Sequence, residues 1–512
     1  MAKVRRALIS VWDKRGLIDF ARGLNKLGIE IIATGGTTKK LKNAGIPAVP
    51  VSDVIDFPEI LEGRVKSMHP VIQAGILALR DNKEHMEQLK KHKIKPIDMV
   101  VSNLYPFSEI IKKKTDLKEV LEFIDVGGPT MIRAAAKNFK HVVVVTNPDQ
   151  YDRVLEELKK GGVSEKTRVE LAIQAFKLTA EYDATIDEFL QKHVGIKAFP
   201  DVFSLKFKKT QDLRYGENPH QEGALYKEFT VKEPCVAIAK QLHGKKMSYL
   251  NYMDANAAFE LVKEFDEPTV AVIKHTSPCG VGCGKTVLEA FEKAYAADPI
   301  SAFGGVVSCN RKIDVKAAKK ISGIFFDVLI APGYEKGALE FLKKRKNLRV
   351  LETGDSLATP KNYDFTKVSG GLIVQDYDNL VLNEKDLKFV TKKKPTKEEV
   401  EAMLFAWKIV KYVKSNGIVL SKNKQTLGIG LGQTSRVGAV EIAIKQAGDK
   451  AKGCVMASDG FFPFRDAIDV AAKAGIVGII QPGGSIRDKE LIDAANEHGI
   501  AMVFTGVRAF KH

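Results

Sequence analysis

Arg6-Ala7-Leu8-Ile9-Ser10-Val11, then Glu30-Ile31-Ile32-Ala33-Thr34-Gly35-Gly36-Thr37, decide how the N-terminal part of this chain is read. The first run is apolar enough for a strand buried on both faces. Between the two runs, residues 14–27 place Leu17, Phe20, Ala21, Leu24 and Leu27 at helical spacing, which predicts an amphipathic helix. A strand, a crossover helix and a second strand imply parallel pairing. Met99-Val100-Val101 and Val142-Val143-Val144-Val145 continue the rhythm, and residues 164–192 read as a long closing helix. The expectation is an α/β fold with a mostly parallel sheet covered by helices.

Working outward, residues 194–204 carry Gly195 and Pro200 and little periodicity, so the domains are expected at 1–197 and 198–512. The second part alternates again, with strands near 270–275, 306–308, 328–331, 417–420, 455–458 and 502–505. Roughly 300 residues is large for one core, so two similar α/β layers are expected. The lysine-rich stretch 385–397 reads as a surface connector.

Composition narrows the class. No apolar run reaches the ~18 residues of a membrane helix. Ala7-Leu8-Ile9 is too short for a signal-peptide core, so a cytoplasmic protein is expected. Cys235, Cys279, Cys283, Cys309 and Cys454 are an odd, sparse set, which argues against a disulfide framework and suits small buried hydrophobes. Lys plus Arg number 80 against 63 Asp plus Glu, a net +17 that attracts polyanionic ligands. The basic residues are scattered and lack aromatic interleaving, so nucleic acid is not an expected partner.

Several short motifs carry chemistry. Thr34-Gly35-Gly36-Thr37, where a strand becomes a helix, offers backbone amides and hydroxyls to an oxyanion, although a glycine pair there is more often a tight turn. Residues 63–70, Gly-Arg-Val-Lys-Ser-Met-His-Pro, gather Arg64, Lys66 and His69 in what reads as a loop. Asp125 precedes a helix that carries Arg133 and Lys137 on one face, so an acid and a base share one element. Leu213-Arg214-Tyr215-Gly216-Glu217-Asn218-Pro219-His220-Gln221 offers a guanidinium for phosphate and a ring for stacking. Lys274-His275 ends a buried strand, where an imidazole can take a proton and an ammonium can hold an oxyanion. Each alone is more often a turn, a cap or a solvated loop. A zinc deaminase pairs H-x-E with P-C-x-x-C. His220-Gln221-Glu222 and Pro278-Cys279 imitate it, but Cys283 falls one residue too far along.

Taken together, the motifs resemble the bifunctional family of AICAR (phosphoribosylaminoimidazolecarboxamide) formyltransferase and IMP cyclohydrolase. Ser10-Val11-Trp12-Asp13-Lys14, Thr34 to Thr37, residues 63–70, Asn103-Leu104-Tyr105-Pro106-Phe107 and residues 125–138 match the cyclohydrolase domain, whose fold is like methylglyoxal synthase. The resemblance implies that Ser10, Asp13, Lys14, Thr34, Gly35, Gly36, Thr37, Arg64, Ser67, Asn103 and Val126 bind nucleotide. It makes Lys66, Tyr105, Asp125 and Lys137 catalytic, with Lys66 on the oxyanion and the other three handling protons. Trp12 stands where a small residue is usual, and Ser67 where threonine is usual.

The second part resembles the formyltransferase domain, two cytidine-deaminase-like α/β layers without the metal. Asn251-Tyr252-Met253-Asp254, residues 274–280, residues 298–305, residues 430–436, residues 458–464 and Gln481-Pro482-Gly483-Gly484-Ser485 carry the match. It implies that Arg214, Tyr215, Gly304, Asp327, Asn416 and Arg436 bind AICAR, and that Val437, Asp459, Phe461, Gly484, Ser485 and Arg508 contact folate. Lys274 and His275 would be catalytic, His275 taking the amine proton and Lys274 holding the oxyanion. Ala509 and Lys511 depart from the usual tail. The implied co-substrate is 10-formyltetrahydrofolate. No metal is implied, and the implied assembly is a homodimer acting on small-molecule nucleotides and folate, without nucleic acid or membrane.

Overall fold

The computed structural model describes residues 3–57, 60–61, 65–114, 116–195, 199–229, 231, 233–358 and 363–512. The chain divides into two compact units, Met1–Ser204 and Leu205–His512. The boundary expected between residues 197 and 198 lies outside the described residues.

In the first unit, strands β1 (Arg6–Val11), β2 (Glu30–Ala33), β3 (Val49–Pro50), β4 (Met99–Asn103) and β5 (Val143–Val145) form a sheet of order β3-β2-β1-β4-β5. All pairings are parallel. Leu8, Ile9, Val100 and Val144 are fully or almost fully buried because helices cover both faces, which is why the strands read as apolar runs rather than as alternation. From β1 the chain crosses to β2 on one side and later to β4 on the other. That reversal opens a crevice at the C-terminal ends of β1 and β4. Helix Gly127–Lys137 and the 30-residue helix Glu165–Val194 pack behind it. Residues 66–68 are one 3-10 turn rather than an open loop, and Pro70 starts helix Pro70–Leu77, where its missing N–H costs nothing.

The second unit opens with the hairpin β6 (Phe207–Asp212) and β7 (Ala224–Glu228) and then β8 (Lys240–His243). A repeated arrangement follows. In the first half, helix Tyr249–Val262 leads to hairpin β9 (Thr269–Lys274) and β10 (Ser277–Cys283). Helices then alternate with β11 (Val306–Cys309), β12 (Val328–Ala331) and β13 (Arg349–Glu352). A separate hairpin, β14 (Tyr363–Val368) and β15 (Gly371–Asp376), and edge strand β16 (Lys388–Phe389) precede the second half. There helix Lys397–Val410 leads to hairpin β17 (Ile418–Lys422) and β18 (Gln425–Gly430), then β19 (Val455–Ser458), β20 (Gly478–Gln481) and β21 (Ala501–Phe504) with their helices. The halves join edge to edge in one twelve-stranded sheet, β16-β21-β20-β19-β17-β18-β10-β9-β11-β12-β13-β8. The seam is the antiparallel β10–β18 contact, Gly282 opposite Gln425.

Strand alternation assigns the faces. Ala271, Ile273, Val419 and Ala457 turn to one side, where helices Tyr249–Val262 and Lys397–Val410 share a single core with Phe259 and Phe405. Val270 and Val272 turn the other way into a core with Phe291, while Ile418 and Leu420 enter a third core with Phe462.

Two expectations change. Ser277-Pro278-Cys279-Gly280 is buried strand, not the start of a loop, and the ladder shifts register between Pro278 and Gly280. Such an irregularity is where a strand tolerates a residue without an N–H. The lysine-rich connector contributes β16, paired antiparallel to β21.

Glycine sets the closeness of the central layers. A Cβ on Gly280 would fall onto the Ala294 carbonyl oxygen, one on Gly428, the matching place in the other half, onto that of Ala443, and one on Gly430 onto that of Ala439. Gly430→Ala is expected to destabilise this unit by about 1–3 kcal/mol through overpacking, read as a lower denaturation midpoint.

Candidate active sites

At the C-terminal ends of β1, β2 and β4, the residues predicted for nucleotide binding come together. Asn103 holds the crossing: its Oδ1 accepts the amides of Trp12 at 2.7 Å and Asp13 at 2.9 Å, and its Nδ2 donates to the Asp13 carbonyl. Thr34 Oγ1 lies 2.8 Å from Ser10 Oγ, and Thr37 Oγ1 accepts the Val11 amide at 3.3 Å. Gly35 and Gly36 open helix Gly35–Asn43, whose first turn has no side-chain cap, so its N-terminal amides face the crevice. Lys66 Nζ would sit 3.6 Å from a Cβ on Gly35, and Lys39 and Lys42 line the same cleft. An ammonium beside a helix N-terminus suits a phosphate, and Lys39 and Lys42, further along that helix, add positive charge to the cleft. The Asp13 carboxylate is engaged by the Arg15 guanidinium, which holds it below the usual range. Lys14 Nζ donates to the Trp12 carbonyl at 3.3 Å. Arg64 lies outside the described residues.

The catalytic candidates of this unit gather at the start of helix Gly127–Lys137. A Cβ on Gly127 would fall onto Ser67 Oγ, and one on Gly128 onto the Asp125 carboxylate, so both glycines are required by these neighbours. Asp125 Oδ1 accepts the Gly128 amide at 2.8 Å. Burial pushes its carboxyl above the ordinary aspartate range, against the pull of the Gly128 and Gly127 amides. Tyr182 OH accepts the Asp125 amide at 2.7 Å and donates to the Phe123 carbonyl, fixing this loop, and burial raises its phenol to about 12. The Tyr105 ring packs on Trp12 at 4.5 Å between centroids, and Val126 is exposed at the helix start. Lys137 stands in the last turn of the helix, exposed, ~15 Å of helix away from Gly127.

In the second unit, register places every predicted residue except Arg214 and Tyr215, which lie in the β6–β7 connection, on one edge of the sheet. β9 ends there, β11, β12 and β13 begin there, and β18 to β21 end there, except β17, which begins there. On the first half of that edge, His275 is exposed in the β9–β10 turn and Lys274 Nζ donates to the Phe303 carbonyl at 3.0 Å. Gly304 precedes β11 with φ of 75°, a conformation suited to glycine. Asp327 precedes β12, 3.9 Å from Arg349 and 3.5 Å from Asn251 Nδ2. Arg214, stacked on Tyr215, and Tyr215 itself lie near enough to perturb the Arg349 guanidinium.

On the second half, Arg436 donates to Ser458 Oγ at 2.9 Å, to the fully buried Asp459 carboxylate and to Asn416 Oδ1 at 2.7 Å. Val437 follows in the same helix, Arg436–Ala447. Phe461 is exposed beside Asp459. Asp488 orders the Gly484 and Ser485 amides at 2.8 and 3.1 Å, and Arg508 covers the Phe510 ring.

The edge is long. At ~4.8 Å per strand, β9 and β19 lie ~19 Å apart, and β12 and β21 ~38 Å. One copy therefore separates Asp327 from Arg436 and Arg508, although all were expected around one substrate pair. The zinc reading fails on geometry: Cys279 enters the core with Phe291 and Cys283 the core with Phe259, on opposite faces of the sheet, so they cannot share an ion. Burial raises both thiols to about 12.

Tyr182, Asp254 and Arg349 were missed by sequence reasoning. Arg349 had a signal, a charge inside the apolar run Leu348-Arg349-Val350-Leu351. Tyr182 had none, because nothing in a helical pattern announces a phenol reaching a distant loop. Arg436→Ala would strand the Asp459 carboxylate and is expected to cost about 3–5 kcal/mol of stability, read by calorimetric unfolding.

Residues 135–446 match the family described as AICARFT/IMPCHase bienzyme, and residues 16–130 match the MGS-like domain. The bifunctional purine biosynthesis protein PurH of Acetivibrio thermocellus is 55% identical over 513 residues, covering 99% of this chain and 100% of that protein. The proteins of the same name from Ruminiclostridium cellulolyticum and Anoxybacillus flavithermus are 50% and 52% identical, each over 99% of this chain and 100% of theirs. The likeness runs through both units and nearly the whole length, and the chain belongs to the AICARFT/IMPCHase bienzyme family.

Proposed function

We propose that Lys274 and His275 carry formyl transfer in this chain, and that Lys66, Tyr105 and Asp125 carry ring closure. The enzyme transfers the formyl group of 10-formyltetrahydrofolate to AICAR and cyclises the product, FAICAR, to IMP with loss of water. The observation that carries the assignment is an exposed imidazole directly after an anchored ammonium, on a rigid turn at the edge where AICAR-binding candidates Gly304, Asp327, Arg214 and Tyr215 gather.

The AICAR amine is a poor nucleophile because the ring carboxamide withdraws its electrons. His275 accepts its proton as nitrogen attacks the formyl carbon. Lys274 has three N–H donors, and one on the Phe303 carbonyl leaves two for the tetrahedral oxyanion. Collapse breaks the bond to the folate nitrogen, which takes the proton back from His275. In the first unit Lys66 holds the oxyanion formed when the carboxamide nitrogen attacks the new formyl carbon. Asp125 takes the amide proton and Tyr105 protonates the oxyanion to a carbinol; transfer of the formamide N–H proton to the departing hydroxyl then forms the C=N bond and releases water.

The separation along the sheet edge supports a homodimer, in which the first-half edge of one copy meets the second-half edge of another around AICAR and folate. Among the described residues no helix is long and apolar enough to cross a membrane, in keeping with a cytoplasmic enzyme acting on small molecules.

His275→Ala is expected to lower formyl transfer by on the order of 10²–10⁴-fold while leaving cyclisation of supplied FAICAR intact; normal transfer by that variant would refute the assignment. Asp125 acts as a base only when ionised, and its pKa is raised by burial. Cyclisation should therefore fall with decreasing pH at values above the roughly pH 4 of a free aspartate. Asp125→Asn should remove that limb together with most of the rate, and a flat rate profile through this range contradicts the role.

A further inference from the structure

We infer that Asp254 is a positioning residue for formyl transfer, its buried carboxylate locking the His275-Thr276 turn and so aiming the imidazole. The inference rests on the reading that His275 receives the amine proton.

Lys274 pairs with Ser277, so His275 and Thr276 form a two-residue hairpin loop. Their φ values are 53° and 59°, the left-handed region at both positions, as in a type I′ turn. Asn and Gly take that conformation readily. A β-branched threonine does not, and it stays there only when its surroundings impose it. Asp254 is the group that imposes it. Its Oδ1 accepts the Thr276 amide at 2.6 Å, and the His275 amide also points to the carboxylate. Thr276 Oγ1 then donates to the His275 carbonyl at 2.7 Å. Asp254 itself is held: it is 8% exposed and projects from helix Tyr249–Val262, whose start is fixed by a reciprocal Ser248–Asn251 cap.

The duplicated half supplies an internal control. Its equivalent turn, Asn423-Lys424 between Lys422 and Gln425, has φ of 51° and 55°. The sixth residue of its leading helix Lys397–Val410, where Asp254 is sixth in its own, is Ala402. The fold therefore makes this turn without a carboxylate when asparagine leads it. Where the sequence is His-Thr, the carboxylate replaces the missing local preference. A helix side chain thereby fixes the backbone of the residue that handles the proton, a control of orientation rather than of substrate affinity.

The test uses the full-length enzyme, with AICAR and 10-formyltetrahydrofolate for transfer and supplied FAICAR for cyclisation. Asp254→Ala is expected to lower kcat of transfer by ~10- to 100-fold with KM for both substrates near wild type and cyclisation unchanged. Asp254→Asn, which keeps one acceptor oxygen for the Thr276 amide, should recover part of the loss. Adding Thr276→Gly to Asp254→Ala should recover more, because glycine takes the left-handed conformation without help. Wild-type kcat in Asp254→Ala overturns the inference, as does a rise in KM with kcat intact. A Thr276→Gly addition that rescues nothing also overturns it. Should Asp254→Ala fail to fold, the same comparison is made between Asp254→Asn and Asp254→Asn with Thr276→Gly. Normal transfer by His275→Ala would instead sink the underlying assignment, whatever Asp254 does.

Discussion

The antiparallel seam between β10 and β18 is the contact on which the second unit depends. Through it, two repeats of the same helix, hairpin and α/β arrangement become one continuous sheet. An antiparallel junction turns one repeat end for end relative to the other. The parallel strands of one half then begin on the edge where those of the other end. Loops of opposite kind, those entering β11 to β13 and those leaving β18 to β21, are thereby assembled along a single border. Close helix–strand approach at Gly280 and Gly430 keeps the two layers tight on either side of that seam.

The two units solve different chemical problems with different devices. In the first, a reversal of crossover direction opens a crevice, where the N-terminus of helix Gly35–Asn43 supplies amides and lysines supply charge. This suits a substrate whose reacting groups lie on one molecule. In the second, Lys274 and His275 stand at a hairpin turn, and the flanking residues are spread over a border too wide for one ligand. That suits a reaction between two ligands. The buried Arg436, Asp459 and Asn416 network is a rigid floor for its half. The Asp254 carboxylate does the same for the turn in the other.

Much of the first unit was legible before any coordinates. β1 and β2 fall where their apolar runs are, and β4 where Met99-Val100-Val101 begins, since strands buried on both faces need unbroken hydrophobic runs. Several strands of the second unit were also found, including β12 and β19. β10 was not, because Ser277-Pro278-Cys279-Gly280 has the composition of a turn and only burial between two neighbours makes it a strand. Arg133 and Lys137 share a helix face, and the helix of eleven residues sets Lys137 at the end opposite Gly127.

The sequence by itself determined the alternation of strands and helices, the residue types capable of each reaction and the family. These are local matters of periodicity, turn composition and short motifs. Only the tertiary structure decided that the two repeats share one sheet, that the residues proposed for transfer stand on a single border in two distant groups, and that Tyr182, Asp254 and Arg349 contact residues of the candidate sites. Those facts arise from pairings between separate segments of the chain, 57 residues apart for Asp125 and Tyr182 and 22 for Asp254 and Thr276. No local pattern encodes which distant backbone amide a buried side chain will meet.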